Sequence, residues 1–321
     1  MRTAATTHRS PRRQRGAALL TAMIIVTLVA TLAASMVWQQ WRAVQVESAE
    51  RARLQASWIL SGALDWARLI LREDQRSGKV TALGNPWSTP LAEARLSTFL
   101  AVDKSNADDG PEAFLSGNIT DAQARYNLTN LLSQGKVDAL ELETLERLCQ
   151  FIGIESGVAQ RIADGLRDAS AVGTSAATTA AAPLLPRSVE QLAWLGIDAS
   201  SIQALRPYVV ILPAATLVNV NTASREVLAA AIKGLDLATA ERLVQTRQRE
   251  AFKDVEAFWA QVFNLKTATA KLDVRSNYFE VRGRVRLVDR VLTERSLVRR
   301  AGNQVEVLQR ERIASVEQPG T

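Results

Sequence analysis

The chain has 321 residues, enough for one large domain or two ordinary ones, and its surplus of alanine and aliphatic residues over aromatic ones favours helix over strand. The net charge is +6, but five arginines before residue 16 carry most of it, and the remaining 34 basic residues nearly balance 33 acidic ones. The only histidine, His8, lies among those arginines. The rest of the chain therefore offers no histidine base for a catalytic triad and no His–Cys zinc motif, which argues against the commonest hydrolase chemistries.

The single cysteine cannot form a disulfide within the chain. Cys149 lies in residues 145–152, where apolar residues recur at helical spacing, which predicts a packed apolar side chain. No pair of carboxylates stands out from solvated helix faces, and the sequence contains no glycine-rich phosphate loop. We therefore predict that the protein is not an enzyme.

Residues 17–41 form an apolar segment without charge or proline. A membrane-spanning helix needs about 20 apolar residues, so this segment is long enough to cross a bilayer once. The five arginines that precede it predict a cytoplasmic N-terminus, and Trp38 and Trp41 suit the opposite membrane interface.

Three interpretations of this segment are open. It is a plain signal anchor, a secretory signal that is removed near the small residues 33–35, or a prepilin helix whose leader is cleaved before the apolar segment. The junction between Gly16 and the apolar run that begins at Ala17 is typical of the third. Helical periodicity continues through residues 42–76, which also favours a helix that is retained in the mature protein.

The middle of the chain is predominantly helical. A break at Ser77–Gly78 ends the first helix, residues 91–100 have a helical pattern, and residues 119–128 begin with a strand candidate. Helical patterns then dominate residues 131–273, interrupted by a low-complexity linker at residues 171–182.

The C-terminal region changes to a period of two. Apolar and charged residues alternate in residues 279–287, as a half-buried strand requires, and further strands are predicted at 290–299 and 304–313. We expect an antiparallel meander of three strands with one polar face, and we place its arginines on that outer face.

Two segments with a helix–glycine–helix pattern resemble the helix-hairpin-helix unit of DNA-binding proteins, and Thr222 is the predicted N-cap of the second. Such units bind phosphate through backbone N–H groups of a glycine-rich turn. Here an acid follows each turn glycine, Glu155 after Gly153 and Asp236 after Gly234, and these carboxylates would repel a polyanion. We therefore expect no nucleic-acid partner, and a membrane-anchored DNA-binding protein is kept as the alternative.

Four short motifs resemble, in order and spacing, those of K-type minor pseudopilins of the bacterial type II (general) secretion pathway. They are Arg15–Gly16, Asp121–Asn130, Asn219–Ala223 and Ser276–Phe279. The resemblance covers nearly the whole chain and implies an α+β fold. A long N-terminal helix and an antiparallel sheet would form a pilin-like body, interrupted by a large all-helical insertion that contains helix-hairpin-helix or SAM-like units.

The resemblance also implies a domain organisation in which the insertion brings the strand before it beside the C-terminal strands. The implied parts are a prepilin leader (1–16), a transmembrane helix (17–41), its periplasmic extension (42–76), the first part of the pilin-like domain (77–130), the helical insertion (131–273, with subdomains at about 131–213 and 214–273) and C-terminal strands that complete the domain (274–321).

The resemblance implies processing at the N-terminus. A prepilin peptidase would cleave between Gly16 and Ala17, and the new N-terminus at Ala17 would be methylated. Most pseudopilins have glutamate as the fifth mature residue, where Thr21 stands here. This replacement is typical of the K type and suits a subunit that has no other subunit stacked above it.

The implied function is to cap the pseudopilus tip together with I- and J-type minor pseudopilins and to help start its assembly for protein export across the outer membrane. The implied location is the inner membrane, with one span, a cytoplasmic N-terminus and most of the chain in the periplasm. No cofactor is required. Some family members bind calcium, but the loop after Asp168 is poor in charged oxygen ligands and does not support such a site, so the metal content stays unassigned.

Overall fold

The computed structural model describes residues 15–78, 80–96, 113–171, 183–265, 270–287 and 290–313. The chain divides into two compact units, Met1–Ser57 and Trp58–Thr321. The helices are α1 (Arg15–Arg76), α2 (Ala139–Phe151), α3 (Gly157–Ala171), α4 (Ala199–Leu205), α5 (Arg225–Ala231), α6 (Leu237–Arg249) and α7 (Val255–Trp259). The strands are β1 (Leu91–Arg95), β2 (Ala113–Asp121), β3 (Tyr126–Asn127), β4 (Leu132–Ser133), β5 (Lys136–Val137), β6 (Val209–Val210), β7 (Val218–Asn219), β8 (Leu272–Asp273), β9 (Tyr278–Leu287), β10 (Arg290–Ala301) and β11 (Gln304–Ile313).

The described part of the first unit is the N-terminal portion of α1. The side chains of residues 17–48 are all exposed. Within the described residues, α1 is the one helix that is long and apolar enough to cross a membrane. Charged pairs begin only after the apolar segment. The first links Glu47 to Arg51, one helical turn later, at 2.5 Å.

The second unit contains a five-stranded antiparallel sheet with the order β1-β2-β9-β10-β11. The predicted C-terminal meander is confirmed, because β9 pairs with β10 and β10 pairs with β11. Strand β2 precedes the helical region and pairs with β9, which follows it. The chain therefore leaves the sheet at Asp121 and returns to it at Tyr278.

The last part of α1 packs against one face of this sheet. Leu64 and Leu71 of the helix lie in one buried cluster with Phe279 and Val281 of β9. Trp87 belongs to the same cluster, and its ring packs edge-on against that of Phe279, with ring centroids 5.3 Å apart. Full burial of such side chains stabilises the fold by about 1.5–3 kcal/mol each, which is why α1 stays on the sheet.

A pair of glycines allows this close approach. Gly117 of β2 lies directly opposite Gly283 of β9. A Cβ atom at Gly117 would lie 2.6 Å from the backbone oxygen of Arg282, and one at Gly283 would lie 2.9 Å from Leu60 of α1. Glycine inside a strand marks a point where another part of the chain comes very near, and here that part is β9 for Gly117 and α1 for Gly283.

The helical region contains two helix pairs, α2 with α3 and α5 with α6, which share one hydrophobic core. Gly153 (φ +73°) and Gly234 (φ +89°) occupy the left-handed backbone region in the turns between the paired helices, where glycine is favoured. Cys149 is fully buried in this core, as its helical spacing predicts. Asp138 caps α2, since its carboxylate accepts from the backbone N–H of Leu140 at 3.0 Å.

Residues 91–95 form a strand, so the helix predicted over 91–100 is wrong there. Leu, Ala, Glu and Arg are good helix formers, but pairing along β2 at the edge of the sheet decides the conformation of β1. Residues 97–100 of that predicted helix lie outside the described residues, as does the predicted linker from residue 172 onward.

Three further predictions need correction. Residues 131–273 are not all helical, because β4 pairs with β5 and the two short parallel pairs β3–β6 and β7–β8 satisfy backbone groups between the helices. Thr222 is not the N-cap of α5; Ser224 is, since its hydroxyl accepts from Val227 N–H at 3.3 Å. The outer-face position is confirmed for Arg282 and Arg284, but Arg300 is buried against Asp74 of α1.

Candidate functional site

A buried carboxylate, Asp121, lies where β2 ends and the chain enters the helical region. Its Oδ2 atom accepts three side-chain hydrogen bonds, from Asn219 Nδ2 at 3.0 Å, Thr222 Oγ1 at 2.6 Å and Ser276 Oγ at 2.6 Å. Its Oδ1 atom accepts from the backbone N–H of Gln123 at 2.8 Å. We call Asp121, Asn219, Thr222 and Ser276 the polar junction.

The environment of Asp121 acts on its pKa in two opposing directions. Burial raises the pKa, because it removes the carboxylate from water. Hydrogen bonds from Ser276, Thr222, Gln123 and Asn219 lower it, because they stabilise the charged form, and the effect of burial is the larger.

Asn219 extends the polar junction in two directions. Its Nδ2 atom also donates to the backbone oxygen of Thr81 at 3.0 Å and to Ser276 Oγ at 2.9 Å. Its Oδ1 atom accepts from the backbone N–H of Asn221 at 2.9 Å. Asn221 in turn exchanges two hydrogen bonds with the backbone of Phe252, both 2.9 Å long. The Asn219–Ala223 motif thus connects the loop after α1, the sheet and the second helix pair.

Other polar residues of the Asp121–Asn130 motif make the same kind of connection. Gln123 Oε1 accepts from the backbone N–H of Asn277 at 2.6 Å, next to the start of β9. Asn130 forms two hydrogen bonds with the backbone of Thr216, with its Oδ1 accepting at 2.9 Å and its Nδ2 donating at 2.8 Å. Three of the four motifs that carry the family resemblance therefore meet in one place.

The polar residues of this site stand out in the sequence, but their hydrogen-bond partners cannot be identified from it. Asn219, Asn221 and Thr222 interrupt an otherwise apolar run, and buried polar groups need hydrogen-bond partners. Their partners lie up to 138 residues away along the chain, as Thr81 does from Asn219, so spacing alone could not identify them. The junction is suited to hold the helical region on the sheet.

The fourth motif lies at the start of α1, in the first unit. Gly16 and Ala17 are in the first turn of this helix. Thr21 is exposed, and its hydroxyl donates to the backbone oxygens of Ala17 at 3.1 Å and Ala18 at 3.0 Å. Thr27 bonds its own helix in the same way, with its hydroxyl 3.0 Å from the backbone oxygen of Met23. These hydroxyl groups are satisfied without water, as a bilayer interior requires.

Cys149 and the carboxylates at the end of α3 are buried or paired. Burial raises the pKa of Cys149 to about 11, so its thiol is neutral at ordinary pH. Arg167 lies 2.6 Å from Asp164 and 3.1 Å from Asp168, which engages both carboxylates at the end of α3. Across the described ranges, no group of three or more His, Cys, Asp or Glu side chains is placed to hold a metal ion.

The turn of the second helix pair differs from a phosphate-binding turn. Asp236 caps α6, and its Oδ1 atom accepts from the backbone N–H of Thr239 at 2.9 Å. A carboxylate therefore occupies the position at which a phosphate oxygen would have to bind the helix N-terminus.

Comparisons with known proteins agree with this architecture. Two family models described as type II secretion system protein K match residues 124–214 and 218–275. Type II secretion system protein K of Pseudomonas aeruginosa is 30% identical over 303 residues, which cover 87% of this chain and 86% of that protein. The chain belongs to the type II secretion system protein K family. The K proteins of Klebsiella pneumoniae and Pectobacterium carotovorum are 30% and 29% identical, and each match covers 93% of this chain and 96% of the relative.

A solved structure shares the fold. One chain in the crystal structure of the GspK-GspI-GspJ complex from the enterotoxigenic Escherichia coli type 2 secretion system superposes with a TM-score of 0.66 at 22% identity. The match covers 83% of this protein K and 99% of that chain. The α+β fold with a long N-terminal helix and an antiparallel sheet is thereby confirmed.

Membership of the protein K family confirms the expected class of function. The protein is a minor pseudopilin of the type II secretion system, a structural component. The alternative, a membrane-anchored DNA-binding protein, gains no support from these comparisons.

Proposed function

We propose that this protein K caps the tip of the pseudopilus together with I- and J-type minor pseudopilins, and that it helps to start pseudopilus assembly for protein export. The observation that carries the proposal is the composition of α1. Its first part is apolar and fully exposed, with its hydroxyl groups satisfied within the helix, while Leu64 and Leu71 near its end pack on the sheet. A retained helix of this kind holds a subunit in the bilayer until the subunit is extracted.

The proposed location is the inner membrane, with one span and the bulk of the chain in the periplasm. The five arginines before residue 16 support a cytoplasmic N-terminus, since positive residues flank the cytoplasmic end of a span. Cleavage between Gly16 and Ala17 by a prepilin peptidase, followed by methylation at Ala17, would leave the whole apolar segment on the mature protein. Thr21, in place of the usual glutamate, suits a terminal subunit.

We expect the mature protein to begin at Ala17. N-terminal sequencing and intact mass of the protein purified from membranes check this, and the mass should include one methyl group. Replacement of Gly16 by a bulky residue, Gly16→Leu, is expected to leave only the unprocessed chain, because the peptidase site accommodates a small residue.

Ala33→Leu, a substitution of the same kind in the small-residue stretch 33–35, is the matched control and should be processed normally. A mature N-terminus at Met36 would show ordinary secretion and would contradict the proposed cleavage after Gly16 and the retained membrane helix. Recovery of a freely soluble periplasmic protein would have the same consequence.

The proposed I- and J-type partners are supported by the complex named in the E. coli structure and by exposed apolar residues on the last part of α1. Trp58 and Trp66 are 78% and 51% exposed, and Leu69 is 51% exposed. Spacings of eight and three residues place all three on one side of the helix. Exposed tryptophans on one helix face are typical of a surface that packs against another helix.

We expect Trp58→Asp/Trp66→Asp to reduce co-purification of the I- and J-type proteins at least about tenfold, because each buried tryptophan contributes about 1.5–3 kcal/mol or more to such packing. Leu83→Asp is the matched control, since Leu83 is also apolar and 55% exposed but lies outside α1. Equal recovery of both partners with the double variant would contradict the proposed interface.

For the helical region we propose a packing role. Its two helix pairs resemble helix-hairpin-helix or SAM-like units, and Asp236 at the second turn supports the loss of phosphate binding. A bulky region inserted at the end of β2 would hinder further subunits from adding above this one. No cofactor is needed for that role, and a calcium site near Asp168 would have to draw on ligands from residues 172–182, which contain no acidic residue.

A further inference from the structure

A cleft with a volume of about 580 Å³ lies between the outer face of the sheet and the segment Val189–Leu195 of the helical region. Its lining is rich in charged side chains, with five arginines, three glutamates and the buried Asp121. The arginines are Arg125, Arg187, Arg206, Arg282 and Arg295. None of the four family motifs or the exposed face of α1 explains this concentration of arginine.

Each glutamate of the cleft already has an arginine partner. Glu280 lies 2.8 Å from Arg125, and Glu311 lies 2.8 Å from Arg295. Glu190 lies 3.5 Å from Arg295 and 3.4 Å from Arg206. Asp121 accepts its hydrogen bonds within the polar junction. No acidic group of the cleft is left to neutralise another cation.

Two arginines of the cleft have no partner among the residues that the structure describes. The side chains of Arg187 and Arg282 are exposed and form no hydrogen bond or ion pair with any of the residues that the structure describes. Arg282 lies directly opposite Arg295 in the β9–β10 pair, and like charges at opposed positions destabilise a sheet. An anion in the cleft would relieve this repulsion.

The walls beside these arginines favour a peptide over a small ion. A second cavity of about 610 Å³ shares Arg187, Ile211, Leu297 and Gln309 with the cleft and extends it along apolar side chains that include Leu308. A ligand that fills both would present carboxylates at one end and aliphatic groups at the other. Residues 172–182, which precede this wall in the chain, contain no acid that could supply the missing charge.

We propose that this cleft binds an acidic segment of a partner protein. Carboxylates of that segment pair with Arg187 and Arg282, since an arginine guanidinium binds a carboxylate through two parallel hydrogen bonds. Its aliphatic side chains contact Leu297 and Leu308. The lining has five arginines against four acidic side chains, and the two arginines that have no partner among the described residues match one or two carboxylates.

The test uses the full-length protein in a neutral detergent and a fluorescein-labelled hexapeptide of alternating glutamate and leucine. A hexapeptide of alternating glutamine and leucine is the uncharged probe, and detergent alone gives the baseline anisotropy. We expect the glutamate peptide to bind at least about tenfold more tightly than the glutamine peptide, because only its carboxylates form charge-assisted hydrogen bonds with the two guanidinium groups.

The double variant Arg187→Gln/Arg282→Gln is expected to bind the glutamate peptide no better than the glutamine peptide. Arg249→Gln, which removes an exposed arginine at the end of α6, should bind like the wild type. Arg187→Lys retains the charge and should keep most of the affinity, which guards against a folding defect in the double variant. Equal binding of the two peptides, unchanged binding by the double variant, or full displacement by equimolar phosphate or duplex DNA would overturn the proposal.

Discussion

Asp121→Ala is expected to lower the free energy of unfolding by about 3–5 kcal/mol. The substitution removes the shared acceptor of the polar junction and leaves Asn219, Thr222 and Ser276 with buried donors that have lost their common partner. An unsatisfied buried polar group costs about 1–3 kcal/mol, and the hydroxyl groups of Thr222 and Ser276 both lose their short hydrogen bond here, whereas Asn219 Nδ2 keeps the backbone oxygen of Thr81. Because Asn219 and Thr222 belong to the helical region while Asp121 ends β2 of the sheet, the loss should weaken the attachment of that region to the sheet.

Chemical denaturation of the full-length protein in detergent, followed by tryptophan fluorescence, measures this effect. Asp65→Ala is the matched control, because Asp65 carries the same side chain but is 67% exposed in its pair with Arg68. Surface pairs of this kind contribute about 0–1 kcal/mol, so the control should unfold almost like the wild type. Similar stabilities of the two variants would show that the polar junction does not stabilise the fold.

Asp74→Leu is expected to destabilise the protein by about 3–5 kcal/mol, since it leaves a buried arginine without its counter-charge. Asp74, near the end of α1, and Arg300 of β10 form an ion pair whose side chains are 4% and 5% exposed. The guanidinium also lies 4.4 Å above the ring of Phe279 and 3.4 Å from Thr81 Oγ1. These contacts fix Arg300 in place, so it cannot turn to water when its partner is removed.

The double variant Asp74→Leu/Arg300→Met is expected to recover most of that loss, because replacing a whole buried ion pair by apolar side chains is often neutral or stabilising. Glu73→Leu is the matched control at the neighbouring position, where the side chain is 76% exposed. The measurement is the same denaturation experiment, arranged as a double-mutant cycle. A double variant as unstable as the sum of the two single variants would show that the pair is not coupled.

Several elements could be predicted from local pattern. The strict alternation of residues 279–287 predicts a strand with one buried face, and β9 spans Tyr278–Leu287 with Phe279, Val281 and Val285 buried. Residues 304–313 are predicted equally well, and β11 is Gln304–Ile313. A strand points successive side chains to opposite faces, so the alternation of apolar and charged residues in the sequence directly indicates the element.

Other elements depended on distant partners. Residues 91–95 have helical composition but become an edge strand because β2 offers unpaired backbone groups beside them. Thr222 has the residue type of an N-cap, yet its hydroxyl donates to Asp121, 101 residues earlier, and Ser224 caps α5 instead. The unpaired Arg187 and Arg282 are likewise ordinary surface residues in sequence and share a cleft only in the folded chain.

Three features could be predicted from the amino-acid sequence, namely an apolar helix able to span a bilayer, a C-terminal meander and the motifs of the protein K family. These depend on the composition and spacing of neighbouring residues, which the chain carries with it in any conformation. Three features appear only in the folded chain: Asp121, Asn219 and Ser276 share hydrogen bonds, Asp74 is buried with Arg300, and two arginines face a cleft with no counter-charge among the described residues. Burial and pairing of polar groups depend on which distant segments the packed core brings together, and no local pattern contains that information.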